Sequence, residues 1–61
     1  MKGFIFLLDE DNMPHFVNIS CIVTIKGVNK GKHTELRLSD CSIFIAKTTI
    51  EEIDRLIEGS Q

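Results

Sequence analysis

The stretch TTIEEIDRLIEG, residues 48–59, decides the fold class of this chain. Thr49 is followed three residues later by Glu52, which is the pattern of a capping box at the start of a helix. One helical stripe is formed by the apolar residues Ile50, Ile53, Leu56 and Ile57. Gly59 follows the stripe where a C-terminal helix cap is expected. The stretch therefore predicts one short amphipathic helix.

The sequence before this helix alternates between apolar and polar residues with a period of two, which is typical of strands. Five strands are predicted, at residues 3–9, 15–19, 21–26, 33–39 and 42–47, and Ser20 marks a break or bulge between the second and third. The fold class expected is α+β: a small antiparallel sheet of four to five strands followed by one short C-terminal helix. Residues 1–61 form a single domain in this interpretation.

The first predicted strand is apolar on both faces. Phe4, Phe6 and Leu8 point to one side and Ile5 and Leu7 point to the other. A strand of this kind is covered on both faces, one by the core and the other by either the helix or a second copy of the chain. Because a domain of about 60 residues buries only about 60% of its unfolded surface, we expect a homodimer with Ile5 and Leu7 at its interface.

Composition narrows the class of protein. The chain is 43% hydrophobic and 26% charged, as expected for an ordered domain, and its net charge of −2 argues against general nucleic-acid binding. The apolar run of the first strand is too short for a signal peptide or a membrane span. Cys21 and Cys41 have no motif spacing and are expected to be free thiols in a reducing compartment. These features predict a cytoplasmic protein that does not bind membranes.

The cations are concentrated around the loop between the third and fourth strands. They are predicted to form a binding surface of Lys26, Lys30, Lys32, His33 and Arg37. The acids cluster elsewhere, in residues 9–11 and on the helix. The basic loop therefore steers an anionic partner, pairs head to tail with another copy of the chain, or is simply solvated. Single-stranded nucleic acid would favour aromatic residues among these cations, but three of the four Phe residues lie in the first hairpin.

Motifs for catalysis or metal binding are missing from the sequence. The spacing of His15, Cys21, His33 and Cys41 matches no zinc module, and residues 9–12 lack the later glycine and glutamate of a calcium loop. Residues 27–32 lack the glycine spacing of a phosphate-binding loop. We therefore predict no enzymatic activity, no metal and no cofactor.

From Val17 onward, over about two-thirds of the chain, the pattern resembles the FlbD family of bacterial flagellar-operon proteins. The matching positions are Asn18, Ile22, Ile25, Thr34, Leu36, Leu38, Ile45, Thr49, Glu51 and Glu52. The chain departs from that family at residues 39–41, which replace an Asn-Gly-like turn, and in its longer beginning. The resemblance implies a bacterial, non-enzymatic accessory protein.

The chain also resembles the carbon storage regulator family in overall plan. The shared features are five strands, a glycine-containing hairpin and a Glu-Glu helix start, and that family forms an intertwined dimer. Its RNA binding requires Arg on the first strand, where this chain has Lys2 and no Arg. The resemblance therefore implies the topology and dimerisation more than RNA binding.

Together these features predict a non-catalytic interaction module, a homodimer that binds another macromolecule. A protein partner is expected, with the chain acting either as a bacterial accessory protein or as a phage-type inhibitor of a host protein. The alternative is a small RNA- or nucleotide-binding regulator that uses the basic hairpin.

Overall fold

The structure is a computed structural model that describes residues 2–60, so Met1 and Gln61 of the predicted domain lie outside the described residues. Its elements, in chain order, are β1 (Phe4–Leu8), β2 (Pro14–Asn18), a 3-10 helix (Ile19–Cys21), β3 (Ile22–Val28), a second 3-10 helix (Asn29–Gly31), β4 (His33–Leu38), β5 (Ile43–Ala46) and α1 (Ile50–Gly59). The predicted α+β class is confirmed. Each predicted strand boundary lies within two residues of the observed one, and the break expected at Ser20 is the first 3-10 helix.

The strands form two antiparallel sheets, one of β1 and β2 and one ordered β3-β4-β5. The two sheets meet at a narrow seam, where an isolated bridge pairs Asp9 with Ala46 and the Lys47 N–H donates to the Leu8 carbonyl at 3.0 Å. The seam is short because β5 has only four residues before the chain leaves the sheet toward α1. The hairpin is therefore held on the larger sheet mainly by side-chain packing.

Two turns are organised by acidic side chains. Asp9 Oδ1 accepts hydrogen bonds from the N–H groups of Asp11 and Met13, both at 2.9 Å, and Asn12 adopts a φ of +63° in the same turn. Asp40 Oδ1 accepts from the Ser42 N–H at 3.0 Å between β4 and β5. Asp and Asn favour such turns because their short side chains bond to the nearby backbone and tolerate left-handed conformations.

The core lies between the hairpin and the three-stranded sheet. Its buried apolar side chains are Ile5, Leu7, Val17, Leu36, Ala46 and Ile53. The buried polar Thr34 is satisfied, because its Oγ1 donates to the Thr48 carbonyl at 2.6 Å. That bond fixes β4 to the segment that leads into α1.

The helix begins as predicted, with the Thr49 Oγ1 accepting a hydrogen bond from the Glu52 N–H at 3.3 Å. Ile53 is fully buried and the half-buried Ile57 packs against the core, whereas Ile50 and Leu56 remain 38% and 39% exposed. The predicted stripe therefore packs on the core through Ile53 and Ile57. The prediction of a Gly59 cap was wrong. Gly59 is the last helical residue, and the cap is Ser60, whose N–H donates to the Ile57 carbonyl at 3.3 Å.

Candidate functional site

The outer face of the β1–β2 hairpin carries exposed aromatic rings. Phe6 and Phe16 pair directly across the hairpin, and their ring centroids lie 5.5 Å apart in an edge-to-face arrangement. The two residues are 51% and 58% exposed. Phe4 and Leu8 lie on the same side of β1, because side chains alternate along a strand. We refer to Phe4, Phe6, Leu8 and Phe16 as the aromatic face.

Ile5 and Leu7, which were expected at a dimer interface, lie instead in the core of the single chain, at 3% and 1% exposure. Ile5 is opposite Val17 in the hairpin, and both belong to the same buried cluster as Leu36 of the larger sheet. The expected assignment of the two sides of β1 is therefore reversed. The aliphatic side is covered by the chain itself, and the side that remains exposed is the aromatic face.

A groove of about 520 Å³ lies between the aromatic face and the C-terminal half of α1. Its walls include Phe4, Phe6, Phe16 and Leu56, and it also contains the cations Lys2 and Arg55. Both cations are exposed, and the ion pairs of residues 2–60, His15 with Asp9 and Lys26 with Glu35, leave them unpaired. Within residues 2–60, this end of the hairpin therefore combines apolar walls with two cations that form no ion pair.

The other end of the hairpin is acidic. Glu10 and Asp11 are exposed in the turn, which also contains Asp9. Hydrogen bonds from the Met13 backbone N–H, and then from His15, hold the pKa of Asp9 below its ordinary value. Asp9 consequently stays ionised at neutral pH. The hairpin thus has cations at one end, aromatic rings in the middle and carboxylates at the other end.

Three of the five residues of the predicted basic surface share one face of the sheet, and the other two lie at the adjoining turn. The register places Lys26, His33 and Arg37 on one outer face of the three-stranded sheet, and Lys30 and Lys32 lie in or next to the 3-10 turn that joins β3 to β4. Glu35 lies on the same face, opposite Lys26, and its carboxylate is 3.9 Å from the lysine Nζ. This surface therefore carries less positive charge than the count of its cations indicates.

The residues weighed for a zinc site are dispersed. His15 contacts Asp9 at 2.8 Å and packs edge-to-face on Phe44, whereas Cys21 is half-buried and Cys41 is exposed, both as free thiols. Over residues 2–60, no group of three or more His, Cys, Asp or Glu side chains is arranged to hold a metal. Within the same range, no helix has the length and apolar character needed to cross a membrane.

The residues of the predicted basic surface lie close together along the chain, whereas the groove cations Lys2 and Arg55 come from opposite ends and were not predicted to meet. Strand alternation was the available signal for the aromatic face, because it separates Phe6 from Leu7. No protein-family model, curated protein or solved structure matches this chain.

Proposed function

We propose that this chain is a non-catalytic interaction module that forms a homodimer and binds another macromolecule. The observation that carries this proposal is the aromatic face, where two half-exposed phenylalanine rings lie side by side. Fully burying a Phe side chain contributes about 1.5–3 kcal/mol, so covering the exposed halves of both rings contributes roughly the same amount in total. Contiguous exposed apolar patches of this kind mark protein contact sites.

A second copy is the cover we propose for this face. The chain buries few apolar side chains by itself, and small domains commonly gain stability by association. A homodimer formed through the hairpin leaves the outer face of the three-stranded sheet open. That open face is available to a further protein partner, in keeping with the accessory or inhibitory role expected from the sequence.

The test is the double substitution Phe6→Ser with Phe16→Ser. We expect wild-type protein to sediment as a dimer at micromolar concentration and the double variant to sediment as a folded monomer, with an unchanged far-ultraviolet circular dichroism spectrum. Val23→Ser is the matched control, since Val23 is 65% exposed in β3, outside the hairpin. A wild-type chain that remains monomeric would contradict the proposed homodimer.

A second candidate function is binding of RNA or a nucleotide by the basic surface. The observation in its favour is that Lys26, His33 and Arg37 share one face of the sheet, although Glu35 lies among them. Phosphate contacts by such cations release counterions, so binding of this kind weakens steeply as salt rises. Contacts dominated by apolar side chains do not show this salt dependence.

The double reversal Lys30→Glu with Lys32→Glu tests the basic surface. We expect a nearly unchanged melting temperature, because exposed charges contribute about 1 kcal/mol or less to folding. If the surface binds RNA, affinity for a fluorescent single-stranded RNA oligonucleotide should fall sharply at low salt. Lys47→Glu, at an exposed lysine beside the seam, is the control. Retained affinity in the double variant would move the contact elsewhere.

A further inference from the structure

The charges of the hairpin are placed symmetrically about its central ring. Phe6 lies four residues from Lys2 and four residues from Glu10. Each end of β1 lies two residues, or about 7 Å, from Phe6, and Lys2 and Glu10 lie in the turns just beyond those two ends. Arg55 adds a second cation at the Lys2 end, and Asp11 adds a second carboxylate beside Glu10.

Building on the proposed homodimer, we infer that the second copy packs on the aromatic face with its hairpin running antiparallel to the first. The basic end of each copy, Lys2 and Arg55, then meets the acidic turn of the other, Glu10 and Asp11. The two-fold axis lies in the interface, perpendicular to β1 and close to Phe6. Such an isologous contact uses the same patch on both copies and closes as a dimer.

Charge decides between the two symmetric ways of stacking these faces. A two-fold axis parallel to β1 would place Lys2 over Lys2 and Glu10 over Glu10, and like charges in contact oppose association. The perpendicular axis converts both of these repulsions into attractions. Because the described structure gives Lys2, Arg55, Glu10 and Asp11 no ion pair within the chain, all four are available to the partner.

The area that a standard interface buries is another reason to place the charged ends of the hairpin in the dimer contact. A standard interface buries about 800 Å² per partner, about a fifth of the 4234 Å² that this chain exposes. Two five-residue strands project only roughly 160 Å², from their rise of about 3.3 Å per residue and spacing of about 4.8 Å. An interface of standard size therefore extends beyond the strands, to Leu56 in the groove and to both ends of the hairpin.

Paired charge reversals test this arrangement. One variant carries Lys2→Glu with Arg55→Glu, and the other carries Glu10→Lys with Asp11→Lys. Each variant alone places like charges across both ends of the antiparallel dimer, so we expect its dimer dissociation constant to rise at least tenfold at low salt. Mixing the two in equal amounts makes both ends complementary again, and sedimentation velocity should show a heterodimer of wild-type strength.

The control is Asp54→Lys, which reverses an exposed acid near Ile25 and Ile50, in a surface pocket that shares no residue with the groove. We expect it to dimerise like the wild type. Single-end reversals that dimerise as well as wild type would overturn the antiparallel arrangement and fit the parallel one. If they do so while Phe6→Ser with Phe16→Ser still gives monomer, the proposed homodimer stands and only its arrangement fails. A wild-type chain that sediments as a monomer would contradict both the homodimer and its antiparallel arrangement.

Discussion

Leu7→Asp is expected to leave the chain unfolded, whereas Phe6→Asp, one residue earlier in β1, is expected to leave it folded. Leu7 is 1% exposed in the centre of the core, so the new carboxylate would have to be buried without a partner. Burial of an unpaired charge costs several kcal/mol or forces its protonation. The whole stability expected of a 61-residue domain is only about 3–9 kcal/mol, at about 0.05–0.15 kcal/mol per residue.

Thermal denaturation followed by circular dichroism measures this difference. Leu7→Asp should show no cooperative transition. Phe6→Asp should keep a cooperative transition, at a lower temperature than the wild type because the stabilising dimer is lost. Both variants introduce Asp at neighbouring positions of β1, on opposite sides of the strand, so the comparison isolates the side on which the new carboxylate lies. A folded, cooperative Leu7→Asp would show that the hairpin does not cover this side.

Ile53→Ala is expected to reduce the free energy of unfolding by about 2–5 kcal/mol. Ile53 is fully buried where α1 packs on the core, so removing its side chain leaves a cavity. A helix of ten residues is too short to persist alone in water, so loss of this contact also weakens the helix itself. Urea denaturation would measure the loss from the midpoint at an unchanged slope.

Ile50→Ala is the control for that measurement. The substitution is chemically the same, but Ile50 is 38% exposed at the first turn of α1, and we expect a loss of about 1 kcal/mol or less. If Ile53→Ala costs no more than Ile50→Ala, α1 is not docked through its central isoleucine.

Local signals account for the parts of the fold that were predicted. The apolar–polar alternation predicted the strands, and the pair Thr49 and Glu52 predicted the start of α1. Both patterns depend only on residues close together in the sequence. The orientation of β1 was not predictable in this way. Ile5 and Phe6 are both apolar, and the choice between them depends on contacts with Val17 and with the distant Leu36.

The division into two sheets and the groove were missed for the same reason. The seam joins Asp9 to Ala46, and the groove brings Lys2 beside Arg55, residues separated by most of the chain. The basic surface was predictable as a cluster, since its cations lie within one hairpin. Its partial neutralisation by Glu35 was also readable, because Glu35 alternates onto the same face of β4 as His33 and Arg37.

The edge strands determine whether copies of this chain can add to one another strand by strand. Among the described strands, β1, β2, β3 and β5 each pair with a single strand, and the free edges of β1 and β5 meet only at the seam. β2 begins at Pro14, which has no N–H to donate, and β3 has an irregular register around Val23 as well as the exposed Lys26. Proline, bulges and lysine on an edge all hinder the addition of another strand. The edges of β2 and β3 are thus interrupted, which opposes growth of the proposed dimer into fibrils at these two strands.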